Sequence, residues 1–234
     1  MGNSTPGGLI VAVDGPSGSG KSSASRGVAR ALGLRYLDTG AMYRAVTWWF
    51  LDQDADTSDE RLIAARASQA PVEVSTDPDG PWTRVGDRDV TEEIRTREVS
   101  SQVSAVARVQ QVRDHLIALQ REIIAAAEPG IVAEGRDIGT VVAPDAALKV
   151  FLTADSQARA RRRAAERDAA VDVTEADQAR RDMLDQAQSA KAADAILLDA
   201  TDLTLDEVIR EITGLARERS AFACAGTAGD TGSQ

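Results

Sequence analysis

An apolar run, Leu9-Ile10-Val11-Ala12-Val13, leads through Asp14 into Gly15-Pro16-Ser17-Gly18-Ser19-Gly20-Lys21-Ser22. These residues match G-x-x-x-x-G-K-S, and the context constrains the fold as much as the pattern does. A buried strand runs into a glycine loop and then into a helix, which is the arrangement that cradles a phosphate. The glycines let backbone N–H groups turn inward around an anion. The helix that begins near Lys21 aims its positive end at the same point. Lys21 can reach the β- and γ-phosphates, and the Ser22 hydroxyl can hold Mg²⁺. A plain glycine turn that only caps a helix would not need all the fixed positions matched here. The loop, Gly15 to Ser22 with Ser23 behind it, is therefore expected to bind a nucleoside triphosphate.

Composition narrows the setting. At 234 residues and 43% hydrophobic, the chain can build one α/β domain with a real core. No apolar run approaches the ~18 residues of a spanning helix. Met1-Gly2-Asn3-Ser4-Thr5-Pro6 lacks a basic and an apolar leader region. Pro6 also breaks the myristoylation pattern. The lone Cys224 excludes an internal disulfide. These features predict a cytoplasmic enzyme with no membrane partner. The net charge of −10 argues against nucleic acid, so any phosphate site must gather its arginines locally. The lone His115 beside an apolar helical stripe reads as structural.

Patterning sets the element order. Ser22 to Leu32 reads as a helix closed by Gly33, and Leu34 to Asp38 as a second strand. Thr39-Gly40 opens a helix with Met42, Tyr43, Val46, Trp49 and Phe50 at helical spacing. Trp48-Trp49-Phe50 could serve as a stacking platform, but aromatics at this spacing favour core. Residues 71 to 90 alternate and turn like a small antiparallel meander. One long helix is expected over residues 100 to 127, ended by Pro129-Gly130. Further strands are expected at Ile131 to Ala133, Leu148 to Leu152 and Ala195 to Leu198. Helical patterns follow at roughly 155 to 167, 175 to 193 and 205 to 219. Strands alternating with helices predict a five-stranded parallel sheet covered on both faces. Residues 1–8 are expected to be a flexible start and 221–234 a disordered tail.

Ligands of such sheets bind beyond the carboxyl ends of the strands. The phosphate loop follows the first strand, Asp38-Thr39-Gly40 and Arg44 the second, and Glu134-Gly135-Arg136-Asp137-Ile138-Gly139 the third. A second signal is the arginine run Arg159, Arg161, Arg162, Arg163 and Arg167, followed by Arg180 and Arg181. Arg159, Arg162 and Arg163 share a helical face. Some must be solvated partners of Glu166 and Asp168. Guanidinium groups on a closing segment can also stabilise the charge of a moving phosphoryl group.

At these residues the chain resembles a bacterial cytidylate kinase, of the nucleoside monophosphate kinase family of P-loop kinases. The matching stretches are Asp14 to Ser22, Asp38-Thr39-Gly40-Ala41-Met42-Tyr43-Arg44, Glu93-Ile94-Arg95-Thr96, Gly135-Arg136-Asp137-Ile138-Gly139-Thr140-Val141-Val142 and Pro144-Asp145-Ala146. The resemblance implies an α/β/α P-loop kinase domain over residues 9–220. It would carry a nucleoside-monophosphate-binding insert at about 68–104 and an arginine-rich lid at about 157–190. It implies transfer of the γ-phosphoryl of ATP to CMP or dCMP with Mg²⁺, in a monomer. Lys21, Arg136, Arg162 and Arg181 would be catalytic. Arg44, Arg136 and Thr39 would hold the acceptor phosphate. Ser104, Arg113 and Asp137 would read cytosine, and Arg181 and Asp185 would address ribose and phosphate. Ser22 would hold Mg²⁺, with Asp14 helping through water. Closure of the insert and lid is expected, to keep water from the transferring group.

One departure stands out. After Arg181-Asp182-Met183-Leu184-Asp185 the family pattern continues with Ser, a further Arg and Pro-Leu. Here the chain reads Gln186-Ala187-Gln188-Ser189-Ala190-Lys191. The further arginine has no counterpart, and Lys191 is the candidate substitute, though without the bidentate fork. Among rival readings, a GTPase lacks its Asn-Lys-x-Asp motif, and a motor ATPase lacks an apolar strand ending in Asp-Glu. A kinase of another small metabolite shares the fold, and a non-catalytic nucleotide-binding protein is a different class.

Overall fold

The computed structural model describes residues 8–159 and 190–227, with 221–227 described by backbone alone. Its centre is a parallel sheet of β1 (Leu9–Asp14), β2 (Arg35–Asp38), β6 (Gly130–Gly135), β7 (Leu148–Thr153) and β8 (Ile196–Asp199). The spatial order is β2-β6-β1-β7-β8, and all four pairings are parallel. β1 therefore lies in the middle, where both faces must be apolar. Val11 and Val13 point into one core layer and Ala12 into the other, all fully buried. β6 repeats the alternation, with Val132 on the first side and Ile131 and Ala133 on the second.

Helix α1 (Lys21–Leu32) and the C-terminal helix, α6 (Leu205–Thr227), pack together over one face. α1 ends as the sequence predicts: Gly33 takes a left-handed φ of 65° and returns its N–H to the last turn. The other face is covered by α2 (Thr39–Leu51), α3 (Glu60–Arg66), α4 (Arg97–Ala107) and α5 (Gln110–Ala125), around Met42, Phe50, Ile63 and Leu116. Asp38 starts α2 by accepting the N–H of Ala41 at 2.9 Å. Phe50 is core, as its spacing predicts. Trp48 and Trp49 are half-buried at the edge, beneath Arg88 and Arg66 with guanidinium-to-ring distances of 4.7 and 4.9 Å.

The meander read from residues 71 to 90 is a separate antiparallel sheet of β3 (Val72–Val74), β4 (Thr83–Val85) and β5 (Arg88–Asp89). Its longer turn leans on the core: Arg26 and Arg30 of α1 donate to the Pro78 carbonyl at 3.1 and 2.9 Å. The N–H of Tyr36 donates to Thr76 at 2.9 Å, tying the meander to the edge strand β2.

One sequence expectation needs correction. The single helix over 100–127 is two helices, α4 and α5, separated at Arg108-Val109. No glycine or proline marks the break. Val109 is extended (φ −68°, ψ 120°) and buried, and the bend lets Val106, Val109 and Val112 enter one core. Tertiary burial here overrides a local helical pattern. At the other end, α6 runs through Thr227. Residues 160–189, most of the expected lid, lie outside the described residues. Among the described residues no helix is long and apolar enough to cross a membrane.

Candidate active site

Register builds the site. Asp38 of β2 lies beside Glu134 of β6, and Gly135 of β6 lies beside Asp14 of β1. Asp38 and Glu134 thus stand side by side at the carboxyl edge, while Asp14, paired with Gly135, alternates to the other face of the sheet. The loop needs its glycines: Gly15, Gly18 and Gly20 adopt φ of 151°, 78° and 91°. A Cβ on Gly15 would sit 2.0 Å from the Leu152 carbonyl oxygen of β7. Lys21 bends back across the loop and its Nζ donates to the carbonyls of Gly15 and Pro16, each at 2.8 Å. Burial, with Arg136 as the second cause, lowers its pKa below the ordinary lysine value.

Behind Lys21, the Tyr36 hydroxyl donates to a Glu134 carboxylate oxygen, and the Ser22 hydroxyl bonds into the same pair. Burial, then the neighbouring Asp38, raises the pKa of Glu134, while Lys21 opposes the shift. Thr39 is buried, and its Oγ1 donates to the Glu134 carbonyl at 2.7 Å. This close approach requires Gly135, whose added Cβ would lie 2.6 Å from Thr39 Oγ1.

A cleft of about 250 Å³ runs from the loop to the far helices. Ser17, Gly18, Gly20, Lys21 and Ser22 line it together with Thr39, Arg44, Ser104, Arg113, Arg136 and Asp137. Arg44 of α2 is steadied by the insert side: its Nη1 donates to Ser100 Oγ at 2.8 Å and to the Ile94 carbonyl at 3.3 Å. Arg113 of α5 donates to Asp137 Oδ2 at 2.5 Å, and both side chains are largely buried. The break between α4 and α5 thus lies between the helix that brings Ser104 and the helix that brings Arg113.

Gly15, Pro16, Ser19 and Ser23 do not line the cleft. Gly15 and Pro16 offer carbonyls to Lys21, Ser19 is buried in the loop, and Ser23 is exposed on α1. Arg162, Arg181 and Asp185 lie outside the described residues. Of the arginine run, Arg159 is described, and its Nη1 donates to the Ser17 carbonyl of the phosphate loop at 3.3 Å. Lys191 does not line the cleft. It donates to the carbonyls of Ala195 at 3.1 Å and Ala192 at 3.4 Å, as a tie within its own loop.

Asp14, expected to help hold Mg²⁺ through water, is tied to the backbone of the segment after β6. Its two carboxylate oxygens accept the backbone N–H groups of Ile138 and Gly139, each at 2.8 Å, and it is buried. Sequence reasoning gave no role to Arg95, Tyr43 or Glu134, which also line the cleft. Arg95 reaches Asp38 Oδ2 at 3.9 Å. Its signal was present in Glu93-Ile94-Arg95-Thr96. The Tyr36–Glu134 pairing left no local signal, because ninety-odd residues of sequence separate two residues on adjacent strands.

Comparison with known proteins gives one family. The family model described as Cytidylate kinase matches residues 11–218. The cytidylate kinase of Streptomyces avermitilis is 50% identical over 218 residues, covering 91% of this chain and 94% of the relative. That of Streptomyces coelicolor is also 50% identical over the same shares, and that of Mycolicibacterium paratuberculosis is 46% identical over 225 residues. The chain belongs to the cytidylate kinase family.

Proposed function

We propose that this family member transfers the γ-phosphoryl group of ATP to CMP and dCMP, yielding ADP with CDP or dCDP. The observation that carries the reading, beside family membership, is one cleft lined both by the phosphate loop and by the buried Arg113–Asp137 pair. Cytosine carries a donor at N4 and an acceptor at N3. Asp137 accepts from the first and Arg113 donates toward the second. Uracil reverses both, so a buried site built for cytosine rejects it by ~10⁴-fold or more. Ser104, on α4 in the same cleft, completes the base site.

The acceptor phosphate lies between Arg44 and Arg136, beside Thr39. One of its oxygens attacks the γ-phosphorus in line as the bond to the β,γ-bridging oxygen breaks, and that oxygen leaves on ADP. The acceptor is already anionic, so no general base is needed. Catalysis is positioning and charge neutralisation, by Lys21 at the donor phosphates and by arginines at the acceptor. Arg162, Arg181 and Asp185 keep the lid, phosphate and ribose roles that the resemblance gives them.

The residues suit Mg²⁺. The Ser22 hydroxyl beside Glu134 and Asp38 is an all-oxygen set, and Mg²⁺ takes few protein ligands alongside substrate phosphates. Ser22 would hold the ion and Glu134 would orient its water, with Tyr36 fixing Glu134. When bound, Mg²⁺ neutralises charge on the donor phosphates. The division into core, insert at about 68–104 and lid at about 157–190 belongs to this reading, as do a cytoplasmic location and a monomeric enzyme.

The test is label transfer. ATP labelled in its γ-phosphoryl group should pass label to CMP and dCMP, giving one ADP per CDP. Label released only as inorganic phosphate, or none transferred, would refute the reading.

A further inference from the structure

The segment that carries Arg136 and Asp137 is held at both ends by residues outside the cleft's chemistry. It continues as one wide helical turn, Ile138–Val142, in which the N–H groups of Val142 and Ala143 reach back five residues, to Asp137 at 3.3 Å and Ile138 at 2.7 Å. Such turns are short and hold their shape only when neighbours fix them. At the leading end, Asp14 accepts the N–H groups of Ile138 and Gly139, each at 2.8 Å, in a buried setting. At the trailing end, Arg121 of α5 donates Nη2 to the Val141 carbonyl at 2.7 Å and Nε to the Val142 carbonyl at 3.2 Å. Arg121 lies about two turns along the same helix from Arg113, which holds Asp137 itself. Helix α5 therefore splints the segment at two points, and β1 pins it at a third.

We infer that Asp14 and Arg121 are positioning residues for base recognition, fixing Asp137 and Arg136 through the backbone of Ile138–Val142. The inference rests on the kinase reading above. Both Asp14 oxygens accept backbone donors, so its carboxylate is fixed to Ile138 and Gly139. Two geometric facts strengthen the assignment. Asp14 directly precedes Gly15, so the donor loop and the acceptor-reading segment share one anchor. Gly139 packs so closely that an added Cβ would lie 3.1 Å from Lys149 Cδ and 3.4 Å from Asp14 Oδ2. Discrimination between an amino and a carbonyl group depends on such placement, since a misplacement of ~1 Å can cost ~100-fold.

Arg121 is exposed, so Arg121→Met should fold. Calorimetric titration with CMP, without ATP or Mg²⁺, should show affinity weakened by about five- to tenfold, as expected when carbonyl ties are lost. The kcat/KM ratio of CMP to UMP should fall by a similar factor, with KM for ATP unchanged. Arg121→Lys, which keeps one donor, should recover part of the loss. Asp14→Asn sets an amide donor against an N–H group and should move the same two quantities, while the Mg²⁺ concentration needed for half-maximal turnover stays as in the unaltered enzyme. Wild-type CMP affinity and CMP/UMP ratio in Arg121→Met, even with a lowered melting temperature, would overturn the assignment. So would an Asp14→Asn defect relieved by added Mg²⁺. Should the unaltered enzyme itself fail to prefer CMP over UMP, the base-reading premise fails instead, a result the variants cannot mimic.

Discussion

Arg113 and Asp137 meet guanidinium to carboxylate at 2.5 Å, with side chains 14% and 11% exposed. One comes from α5 and the other from the loop after β6, and nothing local in either sequence forces them together. The pair offers a donor and an acceptor side by side in a largely water-excluded place. In the proposed reading, that arrangement fits cytosine and opposes uracil.

Removing either partner should cost about as much as removing both. Asp137→Ala should raise KM for CMP far more than KM for ATP, and Arg113→Met should do the same. Each single change strands a buried charge, at a cost of about 3–5 kcal/mol to fold or binding. The double variant should fall well short of additivity. Equal effects on CMP and ATP, measured in steady state with each varied, would refute base recognition.

Lys21→Ala should abolish phosphoryl transfer while leaving CMP binding largely intact. The lysine lines the cleft, bent over Gly15 and Pro16. Single-turnover measurements with calorimetry separate the two effects, and substantial residual turnover would count against its role.

Gly135→Ala should damage the site from behind. Its Cβ would sit 2.6 Å from Thr39 Oγ1 and 2.8 Å from Ile138 Cδ1. Relief requires β2 and β6 to part or Thr39 to turn, which should destabilise the fold by about 1–3 kcal/mol. Denaturant midpoints check the first effect, and KM for CMP, which should rise, checks the second.

Chelation should silence the enzyme reversibly. With EDTA, turnover should vanish and return on adding Mg²⁺, while CMP binding persists. Glu134→Gln should raise the Mg²⁺ requirement, because the amide would take the Tyr36 hydrogen bond without the charge. An unchanged requirement would remove Glu134 from the metal's surroundings.

Much of this site could be read in the chain before any fold was known. The phosphate loop announces itself because glycine, lysine and serine must stand at fixed offsets. Thr39, Arg44, Arg136 and Asp137 follow because each sits just past a predicted strand, and such ends share one rim. Ser104 and Arg113 came only through the family resemblance, since helical periodicity says nothing about what a helix faces across a cleft. The break at Val109 was invisible, because its cause is burial in a core assembled by distant elements. The place of Asp14 before the loop points only toward the metal. Its backbone partners, the Ile138 and Gly139 N–H groups, lie more than a hundred residues on in the sequence. The Tyr36–Glu134 pair was missed for the same reason: strand order, not sequence, makes them neighbours.

The most direct test of the central claim is an ADP-release assay with ATP and Mg²⁺ against CMP, dCMP, UMP, AMP and GMP. Strong turnover with CMP and dCMP, and at least a thousandfold lower kcat/KM for UMP on the scale of ~10⁴ expected for a polar mismatch, is the predicted result. Comparable turnover of UMP would contradict base reading by Arg113 and Asp137. Turnover with none would contradict the kinase itself.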